Sequence, residues 1–318
     1  MRNRWIRQKN DIKYSIYLYK MNRIELFSAI KKNKPDISES SAKVYTTTLA
    51  TLGQTLGWSN PNFFSTKYKD VVNHLRTLSC QRAKQLCSAL ISFVKDKKAL
   101  KAYKDYILTA AEECRKDVEK QEKSEAQEEN WESWADIMKT YEQLKREAYP
   151  LFSKENLSSS NLKTLRDFVI LSFYVLIPPR RIKDYIDFKI KNINKEKDNY
   201  WDKEKHELVF NSYKTAKNYG QQRVDAPKEL EDIFERWIPI AEEFSDYILF
   251  NGYGEKMAQP VLTKAINQIF GKKISASMLR HIYISDVVLK DQPKLKDLQQ
   301  VASDMGQSVG QQQLYKKF

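Results

Sequence analysis

The chain is short of the residues that build metal centres and disulfide scaffolds. Its 318 residues include three cysteines and three histidines, and their spacing fits no zinc-site pattern. The cysteines are Cys80, Cys87 and Cys114, and the histidines are His74, His206 and His281. Cys87 and Cys114 fall on apolar helical faces, so the sequence predicts reduced, buried thiols, as is usual inside cells.

Glycine and long apolar runs are scarce as well. There are eight glycines, and none forms a glycine-rich loop of the kind that cradles a nucleotide phosphate. The longest apolar run, at 168–177 (FVILSFYVLI), is shorter than the roughly 18 residues that a bilayer-spanning helix needs. The basic N-terminus lacks the apolar centre of a secretory signal. These absences predict an intracellular protein without a membrane partner or a nucleotide cofactor.

Basic residues are abundant, and they are unevenly distributed. Hydrophobic residues make up 41% and charged residues 30% of the chain, which suits a folded protein, and the net charge is +14. Residues 111–150 hold twelve acidic and seven basic residues, a net charge of −5, so the rest of the chain carries +19. A fold does not require such an excess, whereas a polyanionic partner would explain it.

The pattern predicts two mainly helical domains. The order is a basic arm at 1–21, a helical bundle at 22–115, a charged linker at 116–134 and a second domain at 135–318. Apolar residues recur at helical spacing through the bundle. The arm has six basic residues and one acidic residue within its first twenty positions.

The second domain changes its period midway. Residues 161–177 are apolar nearly all round and predict a central helix that ends before Pro178. Three short, partly alternating segments follow at 187–193, 206–211 and 221–227, and they predict a small antiparallel sheet of three strands. Helical patterns then resume, so the expected fold class is mainly α with a mixed second domain.

Four stretches of this domain carry residues suited to binding an anion. They are RRIKDY at 180–185, YKTAK at 213–217, SMLRHIYIS at 277–285, and the late pair MGQS at 305–308 and LY at 314–315. Each has an ordinary explanation when taken singly, such as an Arg181–Asp184 ion pair or a tyrosine on a frayed terminus.

In this order the four stretches resemble the motifs of the tyrosine recombinase (phage-integrase-like) family over 135–318, and 22–115 resembles its core-binding domain in general character. The forms are most similar to those of recombinases from large DNA viruses and mobile elements. The resemblance implies two phosphate-binding arginines, a general-acid lysine and a tyrosine nucleophile, with an acidic residue and a histidine in support. The matching residues are Arg181, Arg280, Lys214 (with Lys217 as the fallback), Tyr315, Asp184 and His281.

Two positions depart from the family pattern. Ser277 stands where the family usually has His or Lys, and Gln307 stands where it usually has His or Trp. Both side chains can donate a hydrogen bond, but neither is a good base near neutral pH. The identity of the group that takes the phenolic proton therefore stays open.

The implied activity is site-specific DNA recombination or integration through a 3′-phosphotyrosine intermediate. It implies double-stranded DNA as the partner, a dimer or tetramer on the DNA, no metal and no cofactor, and a location in the host nucleus or cytoplasm, wherever the DNA is. A type IB topoisomerase shares the same residue pattern, and a non-catalytic DNA-binding protein derived from a recombinase would fit the two departures. Both alternatives stay open at the level of the sequence.

Overall fold

The computed structural model describes residues 23–57, 60, 62–304 and 309. Helices dominate these residues, and they form two compact units. One unit contains the residues up to Glu122 and those from Lys294 onward, and the other is Lys123–Pro293. No helix among the described residues has both the length and the apolar character needed to cross a membrane.

The first unit is a helical bundle. Its helices are α1 (23–33), α2 (Glu39–Thr55), α3 (Phe63–Thr66), α4 (Tyr68–Leu75), α5 (Cys80–Phe93) and α6 (Lys97–Glu119). The Ser38 and Asp96 side chains cap α2 and α6 by accepting a backbone N–H, which satisfies donors that a helix start leaves free. The buried Tyr103 hydroxyl donates to the Phe64 carbonyl at 2.7 Å, so α6 is tied to α3 inside the core.

The cysteines of this unit differ from the sequence prediction. Cys80 at the start of α5 and Cys114 near the end of α6 form a disulfide, with their Cα atoms 5.5 Å apart. The expectation of reduced thiols was therefore wrong for this pair, because spacing along the chain does not reveal which ends of two packed helices meet. Cys87 is a free, buried thiol, and burial raises its pKa to about 12.

Reducing this disulfide should destabilise the first unit. The disulfide closes a loop with a sequence separation of 34. In the chain-entropy description, the lost freedom of the unfolded chain raises the free energy of unfolding by about 3–4 kcal/mol. We expect denaturant unfolding to shift to lower concentration when a phosphine reductant is present, and Cys114→Ser to show the same shift without reductant. A wild-type transition that the reductant leaves unmoved would mean that the two residues are thiols.

The second unit contains eight helices among its described residues. They are α7 (Glu125–Asn130), α8 (Trp134–Ala148), α9 (Ser159–Val175), α10 (Ile182–Ile186), α11 (Ala216–Tyr219), α12 (Lys228–Ala241), α13 (Gln259–Phe270) and α14 (Ala276–Tyr283). A 3₁₀ turn at Tyr149–Ser153 follows α8, and a π-helical turn at Ile284–Val288 follows α14. The central helix is α9, which is buried along most of its length, as its apolar sequence predicts.

The sheet of this unit has four strands, β1 (Phe188–Lys189), β2 (Asn199–Asp202), β3 (Glu207–Phe210) and β4 (Gln222–Asp225), in that order. β1 is parallel to β2, and the other two pairs are antiparallel. The prediction of three antiparallel strands was wrong both in the number of strands and in the direction of β1. β2 directly follows the polar run 194–198 (NKEKD), which hides it in the sequence, and β1 is too short for alternation to reveal its direction.

One further helix, α15 (Leu295–Asp304), clusters with the first unit. The backbone N–H of Leu295 donates to the side chain of Gln121 at 2.7 Å. The boundary between Glu122 and Lys123 lies inside the charged stretch 116–134. The domain limits drawn from the sequence stay predictions.

Candidate active site

The first arginine stretch follows the central helix. After α9 the chain passes through Pro178 and Pro179 and enters the short helix α10. The Arg180 N–H donates to the Tyr185 hydroxyl at 2.8 Å, and that hydroxyl donates to the Phe173 carbonyl of α9 at 2.9 Å. The turn that presents both arginines is therefore fixed to the core of the unit.

The Arg180 side chain is held by the protein itself. Its Nε donates to Asp184 Oδ2 at 2.9 Å, and its Nη2 donates to Gln222 Oε1 of β4 at 2.8 Å. The guanidinium lies 4.0 Å from the ring centre of the buried Phe210. Arg180 therefore joins the arginine turn to strands β3 and β4 through two side-chain hydrogen bonds and its contact with the Phe210 ring.

Arg181 is exposed and occupies the cap position at the start of α10. Its guanidinium makes no hydrogen bond or ion pair with any other residue that the structure describes. The ion pair of Asp184 is with Arg180, one residue before the arginine that the resemblance assigns to catalysis. Of the two neighbours, Arg181 is the one whose donors are available to a ligand.

Asp184 identifies the point at which the arginines converge. It is 2% exposed, and burial raises the pKa of its carboxyl, while Arg180, Arg181 and Arg280 act in the opposite direction. Three guanidiniums thus lie close enough to one buried carboxylate to act on its ionisation. Their positive charge exceeds the single negative charge of the carboxylate, which leaves a cationic region suited to an anion.

Arg280 reaches this region from α14. Leu279 and Ile282 on the same helix are fully buried in the core and fix its orientation. The Arg280 Nε donates to the Pro179 carbonyl at 3.2 Å, immediately before the first two arginines. The two arginine stretches, about a hundred positions apart in the chain, are therefore in direct contact.

Ser277 and His281 lie on the same helix as Arg280. Ser277 is exposed in the first turn of α14, three residues before Arg280. His281 is exposed in the last turn of the same helix. Neither side chain has a hydrogen-bond partner among the described residues, and their roles stay predictions.

Lys214 lies in the connection between β3 and β4. The preceding residue, Tyr213, is buried, and its hydroxyl donates to the Gly220 carbonyl at 2.7 Å, which closes the turn. The Tyr213 ring centre is 5.4 Å from the Arg180 guanidinium carbon. The lysine turn is therefore packed against the arginine turn, and Lys214 is exposed there without a polar partner among the described residues.

The structure brings Arg181, Arg280 and the Lys214 turn into one region of the second unit. Lys217 is exposed within α11, in the same connection. Gln307 and Tyr315 lie outside the described residues. No sequence pattern marks Arg180 and Gln222 as the residues that hold these pieces together, because a polar residue in a polar stretch carries no signal until its partners are known.

Two guanidiniums and an ammonium suit a phosphodiester. Guanidinium forks can donate to both non-bridging oxygens of a phosphate and keep their charge at any ordinary pH. A nearby ammonium can give its proton to a departing oxygen. Within the described ranges, no group of three or more His, Cys, Asp or Glu side chains is placed to hold a metal ion.

No protein-family model matches the chain, and no curated protein matches it. Among solved structures, a crystal structure of XerA recombinase is similar with a TM-score of 0.36 and 14% sequence identity, over 92% of this chain and 94% of that chain. This similarity does not assign the chain to a family.

Proposed function

We propose that this protein cleaves and rejoins double-stranded DNA through a covalent phosphotyrosine, as a site-specific recombinase or integrase of the tyrosine recombinase type. The observation that carries the proposal is the contact between the two arginine stretches around Asp184, with the lysine turn packed against them. Arg181 and Lys214 are both exposed and have no polar partner among the described residues, so their donors are available to a ligand.

In the proposed reaction, the phenolic oxygen of Tyr315 attacks the scissile phosphorus. The bond from phosphorus to the 5′-oxygen breaks, and the products are a 3′-phosphotyrosine and a 5′-hydroxyl. Arg181 and Arg280 stabilise the negative charge that grows on the non-bridging oxygens. Lys214 supplies the proton to the departing 5′-oxygen.

In this reaction a general base accepts the phenolic proton of Tyr315, and no residue is assigned to that role. The unperturbed pKa of tyrosine is near 10, so the surrounding cations must favour its ionisation. Ser277 and Gln307 would contribute hydrogen bonds to the phosphate rather than act as bases. Rejoining is the reverse attack by a 5′-hydroxyl, which needs neither a nucleotide nor a metal.

The proposed partner is double-stranded DNA, consistent with the net charge of +14. Binding that rests on phosphate contacts weakens steeply as salt is raised. Strand exchange between two sites would require the protein to assemble as a dimer or tetramer on DNA. An origin in a virus or mobile element, and action in the host nucleus or cytoplasm, belong to the same proposal.

The direct test is a trapping experiment. Nicked duplexes, tiled from the DNA that surrounds the gene and supplemented with a random-sequence pool, lose a short strand when cleaved, so the covalent complex accumulates. We expect a protein–DNA band that survives denaturing detergent and disappears after proteolysis. Peptide mass spectrometry should place the nucleotide on Tyr315.

The same reagents separate the alternatives. Relaxation of a supercoiled plasmid without any preferred site would favour a type IB topoisomerase. Retarded migration of the duplexes without a covalent band would favour a non-catalytic DNA-binding protein. Preference for a defined sequence, with exchange between two copies of it, is the result expected of the recombinase.

A further inference from the structure

Asn199 is a buried amide whose polar atoms are all engaged with backbone groups. It is the first residue of β2, and it is fully buried. Its Nδ2 donates to the Asp184 carbonyl at 2.8 Å and to the Ser212 carbonyl at 2.9 Å. Its Oδ1 accepts from the N–H groups of Asn211 at 2.8 Å and Ser212 at 2.7 Å.

These four bonds join two of the candidate catalytic stretches. Asp184 belongs to the α10 turn that follows Arg181, and Ser212 stands two residues before Lys214. A bond to a backbone group fixes the path of the chain, whereas a bond between two side chains can be replaced by a change of rotamer. Asn199 therefore determines how far the start of the lysine turn lies from the arginine turn.

Two further side-chain hydrogen bonds hold the same segment. The Asn211 Nδ2 donates to the Asp198 carbonyl at 2.8 Å, and the Ser212 hydroxyl donates to Asp187 Oδ2 at 3.2 Å. The far end of the turn is held by the bond between Arg180 and Gln222. Lys214 thus projects from a backbone that is tied down at both ends.

We propose that Asn199 is a positioning residue for general-acid catalysis, which places the Lys214 ammonium against the leaving oxygen of a phosphate held by Arg181 and Arg280. This inference rests on the proposed function. Only an uncharged amide offers two donors and an acceptor at this depth. An alanine would leave buried carbonyl and N–H groups without partners, and an aspartate would bury a charge against two carbonyl oxygens.

The experiment compares two leaving groups in the trapping duplex, the natural 5′-oxygen and a 5′-sulfur in the same position. A thiolate leaves without a proton, so a sulfur substrate does not need the general acid, although it still needs the arginines and the nucleophile. Cleavage rates are measured for wild type, Asn199→Ala, Asn199→Ser and Lys214→Ala, with thermal melting of each variant as a check on folding.

We expect both Asn199 variants to cleave the oxygen substrate about 10- to 100-fold more slowly, as expected for a misplaced group. Their rates on the sulfur substrate should stay within about threefold of wild type, and Lys214→Ala should show the same pattern with a larger loss, about 100-fold or more on oxygen. Asn199→Ser keeps a small polar group, so it carries the test if the alanine variant does not fold.

Asn192→Ala is the matched control. Asn192 lies in the same unit and has a positive φ of 52°. It hydrogen-bonds to Asp246 and Lys189, and none of these bonds involves the lysine turn. The Asn192→Ala variant should have a lower melting temperature, and any change in its cleavage rate should be the same for the oxygen and the sulfur substrate. Equal losses on oxygen and sulfur for the Asn199 variants, or no loss on either, would overturn the inference. Absence of any wild-type adduct would instead remove the proposed function.

Discussion

Replacing Tyr315 by phenylalanine should abolish the covalent protein–DNA complex while leaving DNA binding intact. Phenylalanine keeps the ring and removes only the oxygen that attacks phosphorus, so no other part of the site is altered. Because the nucleophile forms the new bond, the loss should be complete within detection. The measurement is the detergent-resistant band on nicked duplexes, beside a gel-shift titration of the same protein at matched salt.

Tyr219→Phe provides the comparison for this variant. Tyr219 is 70% exposed at the end of α11, in the same connection as Lys214, so it tests whether any accessible tyrosine near the site can be modified. Its adduct should form at the wild-type rate. A band that persists in Tyr315→Phe and is lost in Tyr219→Phe would transfer the role of nucleophile to Tyr219.

Loss of either candidate phosphate-binding arginine should slow cleavage at least about a hundredfold, the effect typical of removing one donor to a developing oxyanion. We expect this for Arg181→Ala and for Arg280→Ala. The reason is that a guanidinium compensates charge that appears on the phosphate oxygens only as the bond forms. Single-turnover rates of adduct formation, measured with the protein in excess, report this step directly.

Substitution of the neighbouring Arg180 should affect stability, whereas substitution of Arg181 should affect cleavage. Arg180 is bonded to Asp184 and Gln222, so Arg180→Ala should lower the melting temperature, because it leaves a buried carboxylate without its ion pair. Arg181→Ala breaks no such contact and should melt like wild type. Arg146→Ala, an exposed arginine on α8, should change neither quantity. Adduct formation at the wild-type rate in Arg181→Ala would exclude that residue from the site.

Several features of the second unit were predictable because they depend on local physical chemistry. The apolar stretch within α9 favours a buried helix, and Pro178 and Pro179 prevent that helix from continuing past them. Ser275 caps α14 by accepting a hydrogen bond from the Met278 N–H. The helical repeat places Ser277 and Arg280, three residues apart, on one face of this helix.

Other features were not predictable because they depend on partners far away in the chain. Asp184 pairs with Arg180 and not with Arg181, although both lie within reach along the sequence, and the choice depends on where Phe210 and Gln222 place the guanidinium. The pairing of Cys80 with Cys114 depends on the packing of α5 against α6. The parallel pair of β1 and β2 is two residues long, and periodicity has no meaning at that length.

The sequence by itself determined the helical character of the chain, its excess of positive charge and the order of its arginine, lysine and tyrosine stretches, because these are properties of composition and of near neighbours. Only the tertiary structure decided that Arg280 contacts Pro179 and that Asn199 ties the lysine turn to the arginine turn. It also decided that the Arg180 side chain is hydrogen-bonded within the protein, whereas the Arg181 side chain has no polar partner among the described residues. The physical reason is that a buried polar group is satisfied by whichever donors and acceptors the fold brings to it, and these lie far apart in the chain.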